Sequence, residues 1–153
     1  MQIRIANRQD EPEIRTFVES IYKASGSSFE IETKDADLRN IEANYFGKEG
    51  LLLVAEHENK IVGLAGAKKK SESVLEIKRL IGSSGSGFDQ AEMLSELITV
   101  IVEFAPRLLY ERVETDLVPA SNAHEKLFAE KGFESNNGND SFALDVQQSG
   151  KFV

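Results

Sequence analysis

The chain has 153 residues, of which 41% are hydrophobic and 29% charged, and its formal net charge at pH 7 is −8. This length fits one domain with a substantial core, and the negative charge argues against a nucleic-acid partner. Cysteine is absent and only two histidines occur, which excludes disulfides and thiolate chemistry and leaves too few ligands for a histidine-rich metal site, so we expect no metal.

The first predicted elements are a short strand and two helices. Ile3 and Ile5 alternate with polar neighbours, which is typical of a strand. Asp10 can cap a helix whose apolar residues recur at helical spacing as far as Tyr22. A polar loop over residues 24–33 separates it from a second helix, whose apolar face covers residues 38–46.

Three strands are predicted next, over residues 51–56, 61–67 and 74–80, with polar turns between them that favour an antiparallel meander. A glycine-rich loop and a long apolar helix up to Pro106 follow. A strand at 113–117, a helix at 122–131 and a last strand at 141–146 complete the order. The strand–helix–strand part implies a parallel crossover. We expect one domain over residues 1–146, with a tail over 147–153.

The sequence shows neither of the two signals that would direct a chain to a membrane. No apolar run approaches the roughly 18 residues that span a bilayer. The start Met-Gln-Ile-Arg-Ile-Ala is too short and too polar for a signal peptide. We therefore expect a cytoplasmic protein that makes no membrane contact.

The glycine-rich loop carries contradictory signals. A glycine-rich turn between a strand and a helix is the usual way to build a phosphate cradle, because backbone N–H groups converge there. However, residues 81–106 contain no Lys or Arg, and Asp89 and Glu92 stand where an anion would arrive, in the positions of a capping box. A phosphate site and a plain loop before a capped helix both remain open.

The order of elements resembles the GNAT superfamily of acyl-CoA-dependent N-acetyltransferases over essentially the whole chain. Three phrases carry the resemblance: residues 51–63 look like the second and third strands, residues 75–80 like the fourth strand, and residues 122–133 like the late helix that ends in Gly-Phe. The resemblance implies an α/β (α+β) fold. Its central sheet is mixed and mostly antiparallel, with a V-shaped splay between strands four and five and about four flanking helices.

The resemblance also implies acetyl-CoA as co-substrate, bound where strands four and five diverge. The family's loop pattern is Gln/Arg-x-x-Gly-x-Gly/Ala, and Gly82 stands here where Gln or Arg is expected, so we expect weak CoA binding. The residues expected to contact the cofactor lie on the fourth strand, the loop and the late helix: Leu80, Ile81, Gly82, Ser83, Ser84, Gly85, Ser86, Gly87, Phe88, Asn122 and Phe128.

The catalytic group expected from the resemblance is a base near the splayed strands, since an ammonium must lose a proton before it attacks a thioester. Glu76 on the fourth strand is the candidate, and the alternative is a solvent-facing residue paired with a lysine of a neighbouring strand. Many relatives carry a tyrosine on the late helix as general acid; Phe128 occupies that position and cannot donate a proton. Asn122 is either a cofactor contact or an ordinary helix N-cap.

The acceptor is expected over the first two helices and their loop. Ser28 and Glu30 in that loop, and Glu114 on the fifth strand, are the predicted substrate-binding residues, and the acidic character favours a cationic amine. The predicted function is acetyl transfer to a primary amine of a small molecule or peptide. The alternative is a GNAT-fold regulatory or binding module with weak or no CoA binding. A homodimer remains open.

Three further features are expected to be ordinary surface. His57 lies at a predicted hairpin end and His124 in the first turn of the late helix, where a surface histidine is more common than a catalytic one. The run Lys68-Lys69-Lys70 is expected to be a solvated strand exit.

Overall fold

A computed structural model describes residues 1–47, 49–116, 122–136 and 141–146, with backbone only for residues 122, 123 and 136. Leu117, the predicted turn after residue 136 and the predicted tail over 147–153 lie outside the described residues. The strands are β1 (Gln2–Ile5), β2 (Leu51–His57), β3 (Lys60–Lys69), β4 (Val74–Gly82), β5 (Arg112–Thr115), β6 (Glu134–Asn136) and β7 (Ser141–Asp145). The helices are α1 (Glu11–Ala24), α2 (Ile41–Tyr45), α3 (Gln90–Arg107) and α4 (Asn122–Glu130).

The strands form one sheet in the order β1-β2-β3-β4-β5-β7-β6. Every neighbouring pair is antiparallel except β4 and β5, which are parallel because α3 carries the chain across one face of the sheet. The predicted mixed, mostly antiparallel sheet is confirmed. β6 was not predicted, because its sequence Glu-Ser-Asn has no apolar alternation to mark it as a strand.

The pairing of β4 with β5 is short. It begins at Val74 opposite Arg112 and ends at Ile77 opposite Thr115. β4 then continues to Gly82, and along this second half its partner among the described residues is β3 alone. Among the described residues, the parallel pairing therefore ends in the middle of β4, between the two strands for which the resemblance implies a divergence.

Two hydrophobic layers cover the two faces of the sheet. On one face, Leu75 and Ile77 of β4 pack with α3 and α4. On the other face, Ile81 packs with residues of β2, α1 and α2. A register shift between Gly66 and Ala67 of β3 puts an additional residue into β4, a β-bulge that changes the alternation of side chains along the strand.

The helices differ from the prediction mainly at α2. It contains only Ile41–Tyr45, because residues 36–38 form a separate turn of 3₁₀ helix before it. α3 is the longest, with 18 residues and a buried stripe over β3 and β4. Among the helices of the described residues, none combines the length and apolar character required to cross a membrane.

Candidate functional site

The glycine-rich loop joins β4 to α3 as predicted. Asp89 is the N-cap of α3, and its carboxylate Oδ1 accepts a hydrogen bond from the backbone N–H of Glu92 at 3.0 Å. The amide Nε2 of Gln90 donates to the carbonyl of Gly82 at 2.7 Å, which ties the end of β4 to the helix. The N–H of Ser83 donates to the carbonyl of Val62 at 2.9 Å and so extends the β3–β4 pairing. Ser83, predicted as a cofactor contact, therefore offers no free N–H group.

Two glycines of the loop are required by packing. A Cβ atom at Gly82 would lie 2.6 Å from Met93 Cε and 3.0 Å from Leu94 Cδ2, so glycine lets α3 approach β4. Gly87 has φ of 91°, and a Cβ there would lie 2.7 Å from Nε2 of His57. The helix contact accounts for glycine at position 82, where the family pattern has a polar or basic residue.

His57 is not the exposed hairpin residue that the sequence predicts. It is half-buried, and its ring centroid lies 5.2 Å from that of Phe88 in a tilted arrangement. The imidazole therefore holds the glycine-rich loop against the end of β2. The signal for this contact is absent from the sequence, because it joins the end of β2 to a loop that is distant along the chain.

The loop fits a pyrophosphate through its backbone only. Within the described residues, no hydrogen bond is donated by the N–H groups of residues 84–88, which adjoin the N-terminus of α3. This is the arrangement that binds anions at helix N-termini. The segment brings no cationic side chain, and the carboxylate of Asp89 is at the same helix end. The edge of β4 beyond Ile77 adds backbone groups that no described β5 residue pairs with.

The late helix supplies less to this site than the resemblance implies. Phe128 is fully buried and packs edge-on against Phe133 with ring centroids 5.0 Å apart, so its surroundings are those of a core residue. Asn122 is the first residue of α4, and its side chain lies outside the described part. His124 is half-buried, and this burial lowers the pKa of its imidazole.

Glu76 lies beside the point where β4 and β5 separate. It is opposite Lys68 of β3 and Glu114 of β5, one pair before the last parallel pair. Because Leu75 and Ile77 face α3, alternation places Glu76 on the face covered by α1 and α2. Its side chain is 18% exposed, and Oε1 lies 3.5 Å from Nζ of Lys78 on the same strand. A carboxylate is thus present where the pairing of β4 with β5 ends. Its ion-pair partner, Lys78, lies on β4 itself and not on a neighbouring strand.

Glu114 is less available than Glu76. Its carboxylate accepts hydrogen bonds from Nζ of Lys70 at 2.6 Å and from Nε of Arg112 at 2.8 Å. The bond from Lys70, with a further contribution from Arg112, lowers the pKa of Glu114 although partial burial opposes the shift. A carboxylate held charged between two cations is a weak base and a weak partner for an ammonium.

A buried arginine organises the face of the sheet under α1 and α2. Nη1 of Arg79 donates to Asp35 Oδ1 at 2.9 Å and to Tyr22 Oη at 2.7 Å, and Nε donates to Asp37 Oδ2 at 3.0 Å. The Tyr22 hydroxyl donates to Asp35 at 3.0 Å, and the Tyr45 hydroxyl donates to Asp37. We call these five residues the Arg79 network. It joins β4 to α1, α2 and the segment between them.

Ionisation in the network follows from these contacts. Burial by itself would raise the pKa of Asp37, but the hydrogen bonds from Arg79 and Tyr45 outweigh it and hold that pKa below its usual value. Burial likewise opposes the charge on Arg79, yet its bonds to Asp37 and Asp35 raise its pKa. Burial raises the pKa of both tyrosines, Tyr22 and Tyr45. These shifts therefore favour a charged Asp37 and a charged Arg79 beside two neutral tyrosine hydroxyls.

This network was not predicted from the sequence. The one signal for it is Arg79 itself, which directly precedes Leu80 and Ile81, since an arginine within a buried strand requires partners. The partners Asp35 and Asp37 lie in a segment that the periodicity leaves without an element. Which of the chain's carboxylates would meet Arg79 depends on tertiary contacts.

The Arg79 network forms the floor of a cleft of about 540 Å³, which we call the Arg79 cleft. Lys34, Lys68 and Lys78 also line it. Lys68 is half-buried, so it is not the solvated strand residue that the sequence predicts, and its Nζ donates to Asn44 Oδ1 at 2.9 Å. Asn44 and Lys68 also line a second cleft of about 590 Å³ that continues along α2.

The loop residues predicted to bind the acceptor are engaged with each other. Glu30 accepts hydrogen bonds from the hydroxyls of Ser28 at 3.1 Å and Thr33 at 2.9 Å. Its backbone N–H donates to Asp35 Oδ2 at 2.9 Å, which fixes the loop against the Arg79 network. Ser28 and Glu30 are exposed and do not line the Arg79 cleft.

The chain resembles known proteins in its three-dimensional structure. No family model matches the sequence, and no curated protein matches it significantly. A GNAT-family acetyltransferase from Staphylococcus aureus Mu50 superposes with a TM-score of 0.81 at 17% identity, covering 95% of this chain and 98% of that one. The aminoglycoside 6′-N-acetyltransferase from Enterococcus faecium gives 0.70 at 13%, covering 95% and 97%. YncA from Salmonella typhimurium, determined with its cofactor acetyl-CoA, gives 0.68 at 14%, covering 95% and 94%. The chain therefore has the fold of the GNAT acetyltransferases along nearly its whole length.

Proposed function

We propose that this protein is an N-acetyltransferase that moves an acetyl group from acetyl-CoA to a primary amine. The observation that carries the proposal is the carboxylate of Glu76, which lies 18% exposed one residue before the parallel strands separate. In the GNAT fold the thioester is expected at that separation. A base is needed there, because an ammonium is not a nucleophile.

The residues divide the task between them. Glu76 takes the proton from the ammonium, and the amine nitrogen then forms a bond to the acetyl carbon as the carbon–sulfur bond breaks. The nitrogen loses its second proton as the amide forms, and the thiolate gains one proton as it leaves. Both of these protons are exchanged with solvent, because Phe128 cannot supply one and is fully buried. The rest of the acceleration comes from holding the amine and the thioester in contact, which can contribute several kcal/mol to lowering the barrier.

Acetyl-CoA would be held mainly by backbone. The unpaired N–H groups of residues 84–88 and the N-terminus of α3 would hold the pyrophosphate, and the edge of β4 beyond Ile77 would hold the pantetheine. No charge-assisted bond from this segment is available, and each such bond is worth about 1.5–3 kcal/mol. Weak binding of acetyl-CoA follows from this difference.

The direct test is a panel of primary amines incubated with the protein and acetyl-CoA. Release of the CoA thiol and a mass gain of one acetyl group on the amine are the expected results. Boiled protein and reactions without amine are the controls. Thiol release that is the same with and without every amine would contradict the proposal.

One observation favours the second candidate, a binding module without catalysis. Asp89 places a negative charge at the helix end where the pyrophosphate would lie, and Gly82 is explained by packing against Met93. In that case acetyl-CoA would not stabilise the fold. A ligand present at 100 times its dissociation constant adds about 2.7 kcal/mol to stability, so thermal unfolding with and without acetyl-CoA separates the two candidates.

A further inference from the structure

We propose that the Arg79 cleft binds an anionic group, a carboxylate or a phosphate, that the acceptor amine itself carries. That the ligand is an acceptor depends on the proposed acetyl transfer. The anion site itself is argued from the residues of the cleft alone. The inference starts from the charges that line the cleft: four cationic side chains against two carboxylates, in a protein whose net charge is −8.

Both carboxylates of the cleft are already fully engaged. Asp35 accepts from Arg79, from the Tyr22 hydroxyl and from the N–H of Glu30. Asp37 accepts from Arg79 and from the Tyr45 hydroxyl. The guanidinium is paired with these two carboxylates. Asp35 is buried, and Asp37, which is 19% exposed at the cleft, is engaged by Arg79 and Tyr45.

Two of the three lysines at the cleft are not neutralised in this way. Within the described residues, neither Lys34 nor Lys68 has a carboxylate oxygen within salt-bridge distance. Nζ of Lys34 lies 4.5 Å from the centre of the Tyr22 ring, and Nζ of Lys68 donates to an amide oxygen, Asn44 Oδ1. Each ammonium has three donors, so both retain donors for a ligand. Lys78 is the third lysine of the cleft, and its Nζ lies 3.5 Å from Oε1 of Glu76.

The position of Lys68 ties this anion site to the proposed chemistry. Lys68 and Glu76 are opposite each other in the β3–β4 pairing. Opposite residues on one face of an antiparallel pair have Cβ atoms roughly 4.5–5.5 Å apart. Glu76 does not itself line the cleft, so a ligand whose anionic group binds Lys68 must extend its amine beyond the cleft lining to reach that carboxylate. The complementary ligand is a small zwitterion with an amine and an acid group.

The loop does not compete with this assignment. Among the described residues, the carboxylate of its acidic residue Glu30 accepts hydrogen bonds only from the hydroxyls of Ser28 and Thr33. Glu30 does not line the cleft, so a cationic group attracted to Glu30 would lie outside the cleft. The charge that a ligand meets inside the cleft is that of lysines.

The experiment is a titration of ¹⁵N-labelled protein followed by NMR, without acetyl-CoA and at constant ionic strength. The probes are succinate, methylphosphonate and the neutral succinamide. We expect the two anions to shift the amide signals of Lys68, Lys78 and Arg79, and succinamide to leave them unchanged. If succinate binds more tightly than methylphosphonate, the natural group is a carboxylate, and the opposite order indicates a phosphate. Equal shifts with succinamide, or anion shifts confined to other parts of the sheet, would overturn the proposal.

Charge-removing variants test the lysines. Lys34→Met and Lys68→Met should each weaken the tighter anion by roughly tenfold, the effect of losing one charge-assisted hydrogen bond. Lys60→Met, at the exposed opposite end of β3, is the matched control and should bind like the unmodified chain. Lys34 is exposed, so its variant should fold even if that of half-buried Lys68 does not. Unchanged affinity in Lys34→Met, or in a folded Lys68→Met, overturns the assignment. Anion binding without acetyl transfer would refute the proposed function and leave this site intact.

Discussion

At the scale of single residues, Glu76 is the side chain on which the proposed chemistry depends. Replacing it by glutamine keeps its size and removes its basicity. We expect Glu76→Gln to lower the turnover at neutral pH by roughly 10²–10⁴-fold, the usual contribution of a positioned general base. The measurement is thiol release with an acceptor identified in the amine screen.

The matched control is Glu96→Gln on the exposed side of α3, which removes the same charge far from the strands. Its turnover should equal that of the unmodified chain. If Glu76→Gln also kept full turnover, Glu76 would not be the base, and an ordered water would be left to accept the proton.

Asp37 has a predicted effect on stability that depends on pH. Its pKa in the folded protein is below the usual 3.8, so its ion pair with Arg79 contributes stability that is fully present above that value and is lost as pH falls through the lower folded value. Asp37→Asn should reduce the free energy of unfolding at pH 7 by about 1.5–3 kcal/mol, the value of a hydrogen bond to a charged group. Urea unfolding at pH 7 and at pH 3 measures both quantities.

The destabilisation caused by Asp37→Asn should shrink as the pH is lowered, since the unmodified chain loses the same interaction on protonation. Asp145→Asn is the control, because Asp145 is exposed and its pair with Arg112 lies in solvent. A destabilisation by Asp37→Asn that is equal at both pH values would show that its charge is not what stabilises the network.

At the scale of elements, the N-terminus of α3 decides between cofactor binding and an ordinary capped helix. Asn caps a helix about as well as Asp, so Asp89→Asn keeps the bond to the Glu92 N–H and removes the negative charge. If the pyrophosphate lies there, this variant should bind acetyl-CoA more tightly, by roughly two- to fivefold from the usual 0.3–1 kcal/mol of a charge at a helix end. Calorimetric titration of both proteins measures the change.

Glu92→Gln provides the comparison, since it removes a charge from the first turn of α3 without touching the cap. An Asp89→Asn protein whose acetyl-CoA affinity is unchanged would indicate that the pyrophosphate does not bind at this helix end.

The elements that the sequence predicted are those with strong periodicity. α1, α3 and the meander β2–β4 carry clear apolar patterns, and Asp89 is the cap that the sequence indicates. β6 was missed because three polar residues form it only through their pairing with β7. α2 proved shorter than predicted, since apolar spacing alone does not separate a 3₁₀ turn from the helix that follows it.

The site was predictable only in part, and for a different reason. Glu76 could be named because the resemblance places the thioester beside the fourth strand, and its role as the base stays a prediction. The Arg79 network could not, because a β-bulge determines where Arg79 lies and its acidic partners come from a segment without periodicity. His57 was wrongly expected to be exposed, since its contact with Phe88 joins the end of β2 to a loop that is distant in sequence.

At the scale of the whole molecule, the sheet brings two sites to one strand. β4 carries Glu76 and the Arg79 network on the face under α1 and α2, and its last residues lead into the loop at the N-terminus of α3. A donor bound along the end of β4 and an acceptor in the Arg79 cleft would meet at Glu76. This is the arrangement that the proposed transfer between two bound molecules requires.

Calorimetric titration of the unmodified protein with acetyl-CoA tests this account most directly. We predict saturable binding of acetyl-CoA at one site, with a dissociation constant in the micromolar to millimolar range. Binding is expected to be this weak because backbone N–H groups would hold the pyrophosphate without a basic side chain from the loop. A sub-micromolar dissociation constant would contradict the weak binding expected from the glycine-rich loop. No binding heat at millimolar acetyl-CoA would contradict the proposed acetyltransferase function.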